Sequence, residues 1–294
     1  MRRLRPLWFG IAAFALLLVM WEVYRRWIGE WLDTRRDVGE VFGFKLLPRS
    51  GDLAMPAVGD MLDEFGKPEV RGSSTSIFEA VLAATFRSFV LALAALALGT
   101  LVGIGAAVVM ARFKVVQRGL MPYLVISQTI PLIALAPLTV TWGGEIRIFG
   151  FEWEKWTSAV VLGAFLSFFP IAVGALRGFN SPAPASVELM DSYAASWFQT
   201  WRKLRLPAAL PYLTPAMRLA GSAAVFGVVV SEISVGLTDG VGYLILSYLQ
   251  EGSSRPAKVF TAVAGTIVLG LLMAGLVAAG DRYFSRNRPK EGTA

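Results

Sequence analysis

The chain has 294 residues, 55% of them hydrophobic and 17% charged, with a formal net charge of +7 and a mean hydropathy of +0.58. Soluble domains carry about 25% charged residues and must surround one core with polar surface, so a purely soluble protein is excluded. Cysteine and histidine are both absent. Disulfides, thiol and imidazole nucleophiles and the usual ligands of zinc, haem and iron–sulfur centres go with them, and no metal or cofactor is implied. In a chain this apolar the excess positive charge reads as the positive-inside signature and not as nucleic-acid binding.

Six apolar runs of at least 18 residues follow in chain order: Pro6–Tyr24, Ser88–Ala111, Gly119–Trp142, Thr157–Leu176, Leu219–Leu237 and Val259–Gly280. Each is long enough to cross about 30 Å of hydrocarbon as a helix. The expected fold is therefore all-α and polytopic, with six transmembrane helices in one domain over residues 1–294. With the N-terminus inside, and Arg218 set aside at the membrane edge, the inner segments hold fourteen basic residues against four acids, which predicts N-in and C-in. The first run has a basic start but no small-x-small cleavage site, and it leads into Trp21, Trp27 and Trp31, as a retained helix with an interfacial tryptophan belt would. The long outer loop 25–76 contains Met55–Phe65, which can form a short amphipathic helix.

The inner segment between the fourth and fifth spans, residues 179–207, carries the most distinctive pattern. Pro182 and Pro184 punctuate it, Ser186 is a candidate N-cap, and Glu188 then falls in the first turn, where a negative charge suits the helix dipole. Val187, Met190, Ala194, Trp197, Trp201 and Leu204 recur at spacings of three and four, which describes one face of a helix. Asp191, Ser192, Gln199, Arg202 and Lys203 occupy the other face. Two tryptophans on such a helix need burial, either in membrane lipid at the interface or in a groove on a partner protein.

This segment resembles the cytoplasmic "EAA" loop of ATP-binding cassette (ABC) importer permeases, whose pattern is E-A-A, three residues, G, nine residues, I-x-L-P. Anchored on Leu206-Pro207, the pattern places its glutamate at Glu188 and its isoleucine at Leu204. Leu189 and Met190 stand in place of the alanines, and Ala194 in place of the glycine that turns between two short helices. Three further blocks resemble the nitrate/sulfonate/taurine branch of that family. They are Leu47-Pro48, the run from Gln128 to Leu138 ending in Trp142-Gly143, and Ser231-Glu232 followed by Gly240-Val-Gly-Tyr-Leu244. Gly144–Lys155 departs from the family's short turn. The resemblance implies a multi-pass inner-membrane permease that is not itself an enzyme. It also implies a coupling helix at Glu188, Ala194, Trp197, Trp201, Leu206 and Pro207 docked on a separate ATPase subunit. Its further partners would be an extracytoplasmic substrate-binding protein and a second permease copy or paralogue. The absence of any G-x-x-x-x-G-K-[ST] run agrees, since this chain has no P-loop of its own. The Ser127–Pro131 and Ser192–Ser196 stretches look closest to permeases for thiamine-pyrimidine precursors or riboflavin, within a branch that also moves nitrate and sulfonates.

Within the spans, Glu232 is the carboxylate that most needs explaining, because an ionised group at mid-membrane is costly unless paired or wet. It is either a pathway or gate residue, a partner in an interhelical ion pair, or a side chain snorkelling to outer water. Gln128 and Thr129, just before Pro131, can offer hydrogen bonds to a polar solute where the third span is broken; the alternative is a simple proline kink. Gly99-x-x-x-Gly103 and Gly174-x-x-x-Gly178 read as close helix contacts. Arg87 and Arg218 sit at span edges, where headgroup contact is expected. With no basic residue deep in any span, a neutral or heterocyclic solute is favoured over a strongly anionic one. The rival class is a proton-coupled secondary transporter using Glu232. A membrane enzyme is disfavoured by the lack of an intramembrane carboxylate pair and of a G-x-S-x-G elbow.

Overall fold

The computed structural model describes residues 5–29, 40–41, 44–45, 54–70, 72, 74–148, 150–251 and 255–285. Trp31 and Leu47-Pro48 lie outside the described residues. The chain divides into two compact units, Met1–Leu82 with Leu244–Ala264, and Ala83–Tyr243 with Gly265–Ala294. Among the described residues four helices are long and apolar enough to cross a membrane, and one bent pair adds a fifth candidate.

In the first unit, α1 (Arg5–Val23) continues into a wider turn over Tyr24–Gly29. Trp21 does not simply face headgroups. Its indole N–H donates to Pro56 O at 3.1 Å, and its ring meets Phe260 edge-on at 5.7 Å. A two-residue ladder pairs β1 (Glu40–Val41) with β2 (Phe44–Lys45). The expected amphipathic helix forms as α2 (Val58–Glu64). The long helix α3 (Ile77–Arg112) starts well before the expected Ser88. Its start is set by Ser76 and Glu79, each accepting a hydrogen bond from the other's backbone N–H, at 3.0 and 3.2 Å.

Two buried polar groups tie this unit together, and neither stands out in the sequence. Glu64 accepts from Lys67 Nζ at 2.6 Å and from Arg255 Nε at 3.0 Å. Lys258 is fully buried at the start of α11 (Pro256–Ser285). Its ammonium donates to Glu69 O at 2.8 Å and Glu251 Oε2 at 2.6 Å, and lies 4.2 Å from the centre of the Tyr248 ring. Burial pushes the Glu64 carboxyl up, but the bonds from Lys67 and Arg255 outweigh it and hold the group below its ordinary value of 4.5. A depressed pKa stabilises the folded state above the unfolded value, and that stability is lost as pH falls through the folded one. Amide-exchange protection across α2, corrected for the intrinsic pH dependence, is therefore expected to be constant above pH 4.5 and to fall below it. Arg255→Ala should weaken the pH dependence, which the remaining Lys67 bond then carries, along with much of the protection.

The second unit is a helical bundle. Leu91, Ala92, Ala95 and Leu96 of α3 meet Val160 and Ile171 of α6 (Lys155–Phe179), and Ala220, Ala224 and Val228 of α9 (Leu206–Val235). Leu269, Met273 and Val277 of α11 close the same cluster. Lipid is as apolar as leucine, so burial alone does not drive helices together in a membrane; close backbone approach and dispersion do. Both G-x-x-x-G runs serve that approach. A side chain at Gly103 would meet Phe168 O at 2.7 Å, and one at Gly178 would meet Ala209 Cα at 2.6 Å.

The third expected span is not one kinked helix. It is two helices, α4 (Lys114–Ser127) and α5 (Leu132–Gly143), bent by 104°. Pro131 has no N–H and excludes Ile130 from the helical region, so α4 must stop before it. Its last carbonyls are taken by tighter bonds, Thr129 N to Ile126 O at 2.9 Å among them. Beyond α5, the insertion at Gly144–Lys155 forms a hairpin of β3 (Arg147–Ile148) and β4 (Phe151–Glu152), turned at Gly150 with φ +83°. Trp153 then lies over Gly143, where any side chain would collide with the indole.

The fifth span also departs from expectation. A helical run from Trp197 to Val235 replaces a span starting at Leu219. It comprises α8 (Trp197–Thr200), a wide turn over Trp201–Arg205, and α9. Pro207 cannot donate to Lys203 O, and the ladder shifts by one residue, so Leu206 N–H reaches Trp201 O.

Candidate functional site

The inner segment is built as two short helices, not the single amphipathic helix that its periodicity suggested. α7 (Pro184–Ser192) begins with Pro184 at its first position, so Ser186 lies inside the first turn and caps nothing. Glu188 falls one residue beyond that turn, and it is exposed. The helix stops because Ala194 takes a left-handed conformation, φ +52°, unique to it among the described non-glycine residues. Ala195 N–H then reaches back to Met190 O at 3.0 Å. The next helix restarts at once. Ser196 caps α8, its hydroxyl accepting from Gln199 N while its own N–H donates to Gln199 Oε1 at 2.7 Å.

Alanine at positive φ is strained by about 1–2 kcal/mol, which glycine would relieve, less about 0.5–1 kcal/mol for its greater loss of freedom on folding. Ala194→Gly is thus expected to stabilise the turn by about 0.5–1 kcal/mol. Amide protection across Trp197–Thr200 should rise a few-fold; a fall would refute the strain argument.

The break turns the tryptophans inward. Trp201 packs on Phe179 at 5.9 Å and stacks with Trp197 at 6.3 Å and with Phe198 at 6.0 Å. The Arg112 guanidinium lies 5.3 Å over the Trp197 ring. Sequence reasoning offered lipid or a partner groove for these rings, and the permease itself supplies a third place. The side chains left facing outward are Leu189, Tyr193 and Phe198, at 56%, 78% and 58% exposure. Phe198 was missed because periodicity carried one helical phase across Ala194, whereas Leu189 and Tyr193 precede that break and lay off the apolar stripe. Leu206 is half-buried and Pro207 exposed. Arg205 Nη1 donates to Phe179 O at 3.0 Å, anchoring the end of the segment to α6.

Glu232 does not snorkel. It is 1% exposed near the end of α9. Ser88 of α3 donates to Oε1 at 2.6 Å, and Gly242 N–H donates to Oε2 at 2.8 Å. Ser88 Oγ in turn accepts from Val241 N–H at 2.9 Å. Val241 and Gly242 begin α10 (Val241–Gln250), so the carboxylate caps the positive end of that helix. The glycines are explained locally. Gly240 sits at φ +100°, and a side chain at Gly240 or Gly242 would run into the Glu232 carboxylate. Of the alternatives for this side chain, an interhelical ion pair is not formed; its partners are a hydroxyl and a backbone N–H. The nearby cation, Arg87, is ion-paired with Asp239 at 2.9 Å. Arg218 likewise pairs with Asp281 at 2.9 Å, and Asp281 also accepts from Thr214 at 2.8 Å.

Gln128 is half-buried at the bend between α4 and α5, and Thr129 and Pro131 are exposed there. Their hydrogen bonds are local: Thr129 Oγ1 donates to Ile126 O at 2.8 Å, and Gln128 Nε2 donates to Ser127 Oγ at 3.4 Å. The structure thus joins Glu232 to Ser88 and the Gly240–Gly242 turn, and the tryptophans to Phe179 and Arg112. Among the described residues no group of acidic side chains is placed to hold a metal ion.

Residues 99–286 match the family of inner-membrane components of binding-protein-dependent transport systems. A probable ABC transporter permease of Haemophilus influenzae is 35% identical over 51% of this chain and 58% of its own length. The formylaminopyrimidine transport permease ThiX of Halalkalibacterium halodurans is 32% identical over 78% of this chain and 76% of its own length. The crystal structure of an amino acid ABC transporter shares the fold, with a TM-score of 0.55 at 17% identity over 70% of this chain and 94% of that one. The chain is thus a multi-pass, all-α ABC permease, and it belongs to the binding-protein-dependent transport family.

Proposed function

We propose that this chain is the membrane-spanning subunit of an ATP-driven importer for a small polar solute, a neutral heterocycle of the pyrimidine or flavin kind. The name of the 32% identical relative, a formylaminopyrimidine permease, supports the pyrimidine class. The absence of a basic residue deep in any span favours it over a nitrate or sulfonate. A separate ATPase subunit would dock on the inner segment, a binding protein would deliver the solute outside, and a second permease copy or paralogue would complete the pathway. The observation that carries this reading is the inner segment itself. Its two short helices are stapled to the bundle by Trp201 on Phe179, and they hold Leu189, Tyr193 and Phe198 outward. A platform with exposed aromatic anchors suits a protein groove better than lipid, because its inward rings already pack half-buried on the bundle.

In this reading ATP-driven closure of the ATPase pair moves the platform, and α8 with α9, one helical run from Trp197 to Val235, carries the movement into the membrane. Glu188, Ala194, Trp197, Trp201, Leu206 and Pro207 shape the platform. Gln128, Thr129 and Pro131 line the broken span, and Glu232 holds the outer turn. The test is purification of the tagged chain from its own host in mild detergent after cross-linking in membranes. A stoichiometric subunit carrying a P-loop is expected, together with a binding protein whose bound solute gives the substrate class. A chain that comes away with no ATPase overturns the reading.

A further inference from the structure

The turn from α3 into α4 and the start of α7 border an open cavity of about 370 Å³. Lys114, Gln117, Asn180, Pro184, Glu188 and Arg205 are among its walls. Lys114 opens α4, a 14-residue helix whose N-cap residue, Phe113, has no side-chain acceptor for the leading N–H groups. Pro184 opens α7, which is entered through Ala183 and is likewise without a side-chain cap. Two helix starts therefore border one cavity, each with the positive end of its dipole.

The side chains add to this field. Arg205 is held in place by its bonds to Phe179 O at 3.0 Å and Asn180 Oδ1 at 3.5 Å, while its Nε is buried with no hydrogen-bond partner. With Asn180 Oδ1 occupied by the guanidinium, the amide N–H groups of Asn180 remain to donate. The side chains of Lys114 and Gln117 carry no hydrogen bond or ion pair among the described residues. Glu188 is the one acid among the named walls, and it is exposed.

From two cations, two amides and two uncapped helix starts around one opening, we infer that the cavity binds a phosphate-bearing anion. On the N-in reading it lies on the inner side of the membrane, where anionic phospholipid headgroups and soluble phosphates are both present. The bound phosphate accepts from Lys114 and from the leading N–H groups of α4, and its charge offsets the Arg205 guanidinium. Occupancy links the α3–α4 turn to the start of α7, so the anion stiffens the platform from behind. The site requires neither the ATPase nor transport, and its test stands apart from the proposed function.

The experiment uses the full chain in neutral detergent with native mass spectrometry. Phosphatidylglycerol and phosphatidylcholine are added in turn, and inorganic phosphate is titrated in separate samples with thermal unfolding as the readout. Lys114→Glu is the main variant, because Lys114 is exposed and makes no contact whose loss would unfold the chain. Lys114→Glu is expected to weaken binding at least tenfold, Gln117→Ala to weaken it less, and Glu188→Gln to tighten it. Retention of phosphatidylglycerol over phosphatidylcholine, lost in Lys114→Glu, identifies a headgroup. Stabilisation by inorganic phosphate, lost in the same variant and without lipid preference, identifies a soluble phosphate. Equal phosphatidylglycerol retention by wild type and Lys114→Glu, with no phosphate effect that the variant removes, overturns the proposal.

Discussion

Glu232→Ala is expected to cost about 3–5 kcal/mol of stability, the range seen when one partner of a buried charged hydrogen-bonded cluster is deleted. The carboxylate takes one hydrogen bond from Ser88 and one from Gly242 N–H, and both donors are buried. Alanine strands these donors and leaves a cavity beside glycines that cannot fill it. Glu232→Gln should be milder, at about 1–3 kcal/mol. Its amide oxygen can still face Gly242 N–H, but its NH₂ group then meets Ser88, whose hydroxyl must stop donating. Ser88→Ala should fall in the same range, since Val241 N–H also loses its acceptor. Unfolding in mixed detergent micelles measures all three. An alanine variant within about 1 kcal/mol of wild type would show that the cluster is not the anchor of α10 that its geometry indicates. The same result bears on proton-coupled transport, because a carrier carboxylate must exchange with water and Glu232 is 1% exposed.

The second large effect is expected at the outward face of the inner segment. Tyr193→Asp combined with Phe198→Asp should reduce association with the ATPase by more than about 100-fold, since aromatic anchors at the centre of an interface are commonly worth 2 kcal/mol or more each. Both residues are mostly exposed, so the fold should tolerate the change. Trp201→Glu makes the useful contrast. It places a charge against Phe179 and Trp197, so it should first lower the yield and stability of the permease and lose the ATPase only as a consequence. Quantified co-purification, with monodispersity of the permease as control, separates the two. If the double aspartate variant retains the ATPase while Trp201→Glu loses it without destabilisation, the tryptophans are the contact and the inward packing is not the docked arrangement.

Much about this protein is local and therefore legible in its residues. Hydropathy and length set out the membrane helices, because each span meets lipid within its own sequence. The small-residue runs at Gly99–Gly103 and Gly174–Gly178 announced close helix contacts that the structure contains. Pro131 marked the weak point of the third span, although only the fold showed that relieving it takes a 104° turn. Other features depend on partners that are distant in the chain. Glu232 meets Ser88, which is 144 residues away, and no periodicity encodes that meeting. Arg218 finds Asp281 across 63 residues, and the buried Lys258 finds Glu69 across 189. The tryptophan stripe shows the boundary most clearly. Its spacing was real, but a helical phase holds only while the helix continues. One left-handed alanine at position 194 rotated everything beyond it, turning Trp197 and Trp201 inward and leaving Phe198 outside.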